Sequence, residues 1–215
     1  MTKNRLSVDE IEFRPANPED ARVVGNLLFE TFPRKATYII GLGCEGRARK
    51  ILADIFPIPD HRLSYEFTQV VMYRNRVVGA MVIFPGLQIG KLDRRLYRPI
   101  LNQYKFVDTL KLILRGFPLF FIKETTGNEF FISNLVVKDH YRNLGIGEKM
   151  LHQAEEMARE AGLTKVSLIV DLENQKARRF YDRHGYKIKA LNLVPNRQVP
   201  HLGPGSERRV KDMTS

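Results

Sequence analysis

The sequence has little of what redox, zinc or membrane chemistry requires. Its 215 residues include a single cysteine, Cys44, so no internal disulfide can form, and no Cys-x-x-Cys or His-x-x-x-His spacing offers a metal site. It has no run of about eighteen apolar residues, which excludes an ordinary membrane-spanning helix. Met1-Thr2-Lys3-Asn4-Arg5 leads into polar sequence and not into an apolar signal core, so a soluble cytoplasmic protein is expected. The Gly-Lys-Ser/Thr of a P-loop is missing as well.

What is present suits one domain over residues 1–215, with 43% hydrophobic residues and a net charge of +11. Most basic residues are scattered singly among acidic ones, which argues against a nucleic-acid face and suits a solvated basic surface, with a phosphate-rich ligand or an anionic membrane surface as the other readings. Ile11-Glu12-Phe13-Arg14 alternates as a strand does, and Asn17-Pro18-Glu19-Asp20 starts a helix predicted to reach about Phe32, with Val23, Val24, Leu27 and Leu28 facing the core. A second helical stretch, broken by Gly41, Gly43 and Gly46, runs to Phe56. Residues 66–73 and 77–84 read as strands joined at Arg74-Asn75-Arg76.

Residues 130–137 form the next predicted strand, followed by a glycine loop and a helix that carries Met150, Leu151, Ala154, Met157, Ala158 and Ala161 and stops at Gly162. A strand over 165–170, a helix over 174–184 closed by Gly185, and a last strand over 207–213 complete an α/β chain. Its sheet begins and ends antiparallel around one strand-helix-strand-helix run.

A strand that ends in a glycine loop and turns into a helix aims several backbone N–H groups and the positive end of the helix dipole at one point, which suits phosphate. Gly145 and Gly147 leave the backbone open there, and Arg142 adds a fixed positive charge. Two glycines so close together weaken a helix start, with no packing benefit visible in the sequence. A dinucleotide fold would want a third glycine where Met150 stands; Asp171 lies at a tolerable distance for a ribose contact, so an NAD(P)-binding enzyme remains an alternative.

The stretch Arg142-Asn143-Leu144-Gly145-Ile146-Gly147 resembles the Arg/Gln-x-x-Gly-x-Gly/Ala motif of the GCN5-related N-acetyltransferases (GNAT). Asn174-Gln175-Lys176-Ala177-Arg178-Arg179-Phe180-Tyr181-Asp182-Arg183-His184-Gly185-Tyr186 is similar to the family's second motif, at fitting separation. The resemblance covers roughly residues 130–190. It implies a GNAT fold: a central mixed, mostly antiparallel sheet of about seven strands, flanked by about four helices, whose fourth and fifth strands splay to admit the pantetheine arm of acetyl-CoA.

By the same resemblance Arg142, Asn143, Leu144, Gly145, Ile146 and Gly147 hold the pyrophosphate, and Leu135, Val136 and Val137 bind pantetheine through main chain. Asn174 and Ala177 meet the cofactor, with Asn174 equally suited to cap its helix. Tyr181 implies a general acid for the departing thiolate, since a phenol stays protonated at neutral pH. Glu129 is the candidate general base, with an exposed strand-entry residue as its equal alternative and Glu66 and His140 behind it. No metal is expected, and Cys44 has no neighbouring base to make it a nucleophile.

Relatives join the third and fourth strands by a short turn, whereas here residues 86–127 intervene, far beyond a hairpin loop. Phe106, Leu110, Ile113, Leu114 and Phe117 fall at helical spacing, so a helix is predicted whose apolar side packs on the body, with a further apolar run at Leu119-Phe120-Phe121-Ile122. The segment holds eight Lys/Arg against three Asp/Glu, or +5 of the net +11. It is expected to lid the site of a small-molecule or peptide amine acceptor; a homodimer contact or a membrane-surface helix are the rival uses. The function expected is acyl transfer from acetyl-CoA to that amine by direct attack. A non-catalytic CoA-binding regulatory module is the alternative.

Overall fold

A computed structural model of the chain describes residues 10–214; the polar leader and Ser215 lie outside the described residues, as do the side chains of Phe120, Phe121 and Asn196. Edge strand β1 (Ile11–Pro15) leads to Asn17, whose side chain accepts from the Asp20 amide while Asp20 accepts from the Asn17 amide. This capping box starts a 3-10 turn that runs into α1 (Ala21–Thr31). Pro33 opens a short α2 (Pro33–Lys35), continued by a π-helical turn over Ala36–Ile40, and α3 (Glu45–Ile55) follows.

Strand β2 (Thr68–Tyr73) begins two residues later than its sequence suggests, because Tyr65–Phe67 form a 3-10 turn and the Thr68 hydroxyl donates to the Ser64 carbonyl at 2.9 Å. It turns into β3 (Arg76–Pro85) through Arg74 and Asn75, both at positive φ (46° and 60°). Two such residues make the type I′ turn, whose twist matches that of the strands it joins.

After the β3–β4 connection come β4 (Phe130–Val137), α6 (Ile146–Glu160), β5 (Lys165–Asp171), α7 (Gln175–Arg183), β6 (Lys187–Leu193) and β7 (Gly205–Asp212). The seven strands form one sheet in the order β1-β2-β3-β4-β5-β7-β6. Only β4 and β5 run parallel, and they pair over just three residues, Phe130 to Ile132 against Val166 to Leu168. The strands part beyond that point, as the splayed-sheet expectation required.

Alternation along the strands feeds two cores. Val70, Ala80, Val82, Phe84 and Phe131 pack under α1 and α3 on one face. On the other, Met81, Ile83, Phe130 and Ile132 meet Met150, Leu151 and Ala154 of α6.

The β3–β4 connection holds two helices, α4 (Ile89–Leu101) and α5 (Phe106–Gly116), of which only the second was foreseen. Pro99 inside α4 and its run of cations hide its periodicity, although Leu92, Pro99 and Ile100 are buried. The orientation expected of α5 is reversed. Leu112 is its buried residue, the Arg115 guanidinium stacks on Tyr38, and Gly116 lies against Ile39, while Phe106, Leu110, Ile113 and Leu114 point to solvent. The short α8 (Val199–Leu202), between β6 and β7, buries Leu202 and stacks His201 on Tyr38. Among the described residues no helix is long and apolar enough to cross a membrane.

His61 is fully buried. Its Nδ1 accepts from the Leu63 amide at 3.2 Å, which leaves the proton on Nε2 to donate to the Ile55 carbonyl at 3.1 Å. Burial holds its pKa below the ordinary 6.5, against the opposing pulls of Ile55 and Glu66. A depressed pKa contributes stability that is complete above the unfolded value and is lost as pH falls through the folded one. Urea midpoints are therefore expected to drop as pH is lowered below 6.5, and His61→Gln should flatten that drop while lowering stability at neutral pH.

Candidate functional site

The parting of β4 from β5 leaves a gap whose vertex is pinned by buried polar contacts. Glu129, at the entry to β4, is 4% exposed and pairs with Arg208 of β7. Its other oxygen accepts from the Thr125 hydroxyl at 2.9 Å and the Thr126 amide at 3.1 Å, and Thr125 bonds Ser167 of β5 at 2.8 Å. Burial pushes the Glu129 pKa up, but Arg208 and the hydroxyl and amide donors outweigh it, and the net shift is downward. The alternative of an exposed strand-entry residue is thus corrected. A carboxylate so occupied is also a poor proton acceptor.

Beyond the vertex, β4 carries one extra residue: Val82 of β3 lies opposite Asn134 and Ile83 opposite Ile132, so Ser133 is bulged. A hydrogen-bonded chain crosses the gap floor here, from Arg62 to Ser133 (2.9 Å), Ser133 to Asn134 (2.9 Å), and Asn134 to Thr31 of α1 (2.7 Å). Arg62 is held by Asp93 at 3.0 Å and by Glu124, both from the β3–β4 connection. Burial raises the Asp93 pKa, with Arg62 opposing. None of these residues was singled out from sequence as a site residue, where they carry no motif or periodic signal.

Backbone alternation decides which β4 groups face the gap. The Lys138 amide donates to Val78 of β3, so Val136, two residues back, also turns its N–H and C=O toward β3. Only Leu135 and Val137 present backbone to the gap. Val136 is therefore corrected as a main-chain ligand, and the Val137 carbonyl already accepts from Arg142 Nε at 2.9 Å. Arg142 also pairs with Asp139 at 2.7 Å, which sets the loop against the strand end.

The loop itself has the shape of an anion cradle. Asn143 and Gly145 take positive φ (61° and 82°), and Gly145 is the N-cap of α6 without a side-chain cap. Among the described residues nothing accepts from the amides of Ile146, Gly147 and Glu148, which the helix itself cannot satisfy. Leu144 is exposed beside them. Gly147 does have a packing reason that the sequence did not reveal: a Cβ there would stand 3.2 Å from the Phe180 ring.

That contact joins the two motifs. Phe180 belongs to α7, and its C-cap His184 has Nε2 3.8 Å from Glu148 of α6. Asn174 caps α7 by accepting from the Ala177 amide at 3.1 Å, and Ala177 packs into the core on the α6 side. Tyr181 is buried between Phe180 and Tyr186, with ring centroids 5.4 and 5.9 Å away, and no described group bonds its hydroxyl. Burial pushes its pKa up to about 12, with Arg209 pulling the other way. The helix is anchored from beneath, since Glu207 of β7 pairs with Arg178 at 2.5 Å and with Arg209 at 2.6 Å, and Arg209 reaches Asp182 at 2.6 Å.

Across the mouth of the gap, Lys35 pairs with Asp171 at 2.5 Å, Arg34 with Glu173 at 2.9 Å, and Tyr38 stacks on His201 at 4.2 Å. Asp171, weighed from sequence as a ribose ligand, thus serves the α2 side. Glu66 accepts from the Asp60 amide, and His140 and Cys44 are exposed. No group of three metal-ligating side chains exists among the described residues.

Comparison with known proteins agrees with this architecture. The model of the acetyltransferase (GNAT) family matches residues 58–186. An uncharacterized N-acetyltransferase of Bacillus subtilis strain 168, YhdJ, is 38% identical over 65 residues, which is 30% of this chain and 46% of that protein, so the match spans under half of the relative's length. A crystal structure described as an acetyltransferase superposes with a TM-score of 0.69 at 23% identity, covering 94% of this chain and 99% of that one. The N-acetyltransferase of Staphylococcus aureus Mu50 gives 0.71 at 18%, covering 93% and 99%.

The vertex and the loop make different demands on a variant. Glu129→Gln leaves Arg208 buried without its counter-charge and is expected to cost about 3–5 kcal/mol in urea unfolding. Gly145→Ala forces a side chain into the left-handed region at about 1–2 kcal/mol.

Proposed function

The chain belongs to the acetyltransferase (GNAT) family, and on that premise we propose that it is an acyl-CoA-dependent N-acyltransferase, with acetyl-CoA as donor and a small-molecule or peptide amine as acceptor. One observation carries the reading: the N-terminus of α6, with its unpaired amides, touches the helix that carries Tyr181, through Phe180 on Gly147. A diphosphate seated on the loop from Arg142 to Gly147 would direct the rest of its ligand into the gap. Leu135 backbone, the Asn174 side-chain amide and Ala177 line its path, and Tyr181 stands where the thiol would arrive.

In this reading the acceptor nitrogen attacks the thioester carbonyl and the C–S bond breaks. Tyr181 gives its proton to the leaving thiolate and is reprotonated from solvent. The amine proton passes to water at the bulge, where Ser133 and Asn134 are partly exposed. Glu129 acts as a positioning residue at the vertex, and the β3–β4 connection closes the acceptor side through Asp93 and Glu124 on Arg62. A CoA-binding module without turnover draws on one observation, the engagement of both Glu129 oxygens.

Thermal-shift measurements are expected to show stabilisation by acetyl-CoA and CoA and none by NAD or NADP, because a ligand of the native state raises Tm by mass action. Stabilisation by NAD alone would overturn the proposal. Thiol release with amine panels tests turnover: Tyr181→Phe should lower kcat by about 10²-fold or more with little change in CoA affinity. Since the Tyr181 hydroxyl keeps its proton up to about 12, kcat is expected to show no falling limb from this group below pH 10. Glu129→Gln should lower stability and leave the rising limb of the pH profile in place, an outcome that a general base would not give.

A further inference from the structure

The reversed orientation of α5 leaves an apolar stripe without a partner among the described residues. At about 100° per residue, Phe106, Val107, Leu110, Ile113 and Leu114 fall within an arc of about 120°. Leu112, Gly116 and Arg115, which hold the helix to the π-helical turn, lie on the opposite side. The stripe is open to solvent, with Phe106 86%, Val107 64% and Leu114 66% exposed. An amphipathic helix normally turns this face to its own core. Here the body side is held by buried Leu112, the Arg115–Tyr38 stack and the Asp108–Arg47 pair, so the apolar stripe is presented outward.

The charge around the stripe restricts what can cover it. Lys91, Arg94, Arg98 and Lys105 are exposed and have no acidic partner among the described residues, while Lys111 borders the stripe and reaches Asp108 only at 3.6 Å. The connection that carries them holds +5 of the net +11. A two-fold contact between copies through α5 would set this excess cation charge against itself. A surface dense in anions with an apolar interior beneath it would neutralise the cations and bury the stripe together.

We propose that α5 is a peripheral membrane contact that lays its outward stripe on an anionic phospholipid bilayer while the neighbouring cations meet the headgroups. The inference does not depend on the acyl-transfer reading. It does place the mouth of the gap near the bilayer, because Arg115 of α5 stacks on Tyr38 and Tyr38 on His201.

Co-sedimentation of the full chain with vesicles tests it. Binding to equimolar phosphatidylcholine and phosphatidylglycerol is expected to exceed binding to phosphatidylcholine alone by at least about tenfold and to weaken as salt is raised. Leu110→Glu with Leu114→Glu, both at exposed positions, should abolish binding with Tm unchanged. Lys105→Glu with Lys111→Glu should remove the preference for the anionic vesicles. Failure to sediment, or equal binding to both vesicles, overturns the proposal. So does a dimer in size-exclusion chromatography that the double leucine variant converts to monomer, since the stripe would then serve a second copy.

Discussion

The parting of β4 and β5 after three paired residues is the constraint on which the rest of the molecule depends. Two parallel strands that stop pairing expose backbone groups on both edges, and such groups are costly unless something else satisfies them. Each strand stays paired on its far side, β5 with β7 along its full length and β4 with β3. The facing edges are left open beyond Ile132 and Leu168, so Leu135 and Val137 of β4 face a slot. The buried Glu129–Arg208 pair fixes where the slot begins, and the Thr125–Ser167 bond ties the same point to β5. Such a pair contributes little net stability, yet removing one partner is severe, so it specifies geometry more than it strengthens the fold.

A second buried ionic group fixes the depth of the slot. Glu207 and Arg209 of β7 are each about 1% exposed and hold α7 through Arg178 and Asp182. Burial raises the Glu207 pKa and the two guanidiniums more than reverse it, so the carboxylate stays charged in place. Tyr181 rides on that helix one residue from Phe180, which presses on the loop at Gly147. Loop, helix and strand are thus set by contacts made beneath the slot, and the first amides of α6 stay available.

The strand, glycine loop and helix from β4 to α7 were legible because their signals are local: a glycine at positive φ, an Asn cap, a repeat of 3.6 residues. What was hidden depends on tertiary partners. Glu129 beside Gly127 and Asn128 looks exposed until Arg208 arrives from a strand 79 residues away. The Glu207-Arg208-Arg209 run looks like a solvated edge, although β7 lies between β5 and β6 and buries all three. The bulge at Ser133 leaves no mark in an apolar run, and it changes which backbone groups face the slot. For α5 the periodicity named the apolar side correctly and could not tell whether that side meets the body or the outside.

The links across the mouth, Lys35–Asp171, Arg34–Glu173 and the Tyr38–His201 stack, are of another kind from the vertex. Exposed ion pairs contribute little and are screened by salt, whereas the vertex is buried and connected to three strands. The molecule is therefore hinged like a book, with a rigid spine and a weak clasp. Its covers can open by breaking these contacts and uncovering Leu202, and amide exchange should follow that gradient, fast around Val199–Leu202 and slow along Gly205–Asp212.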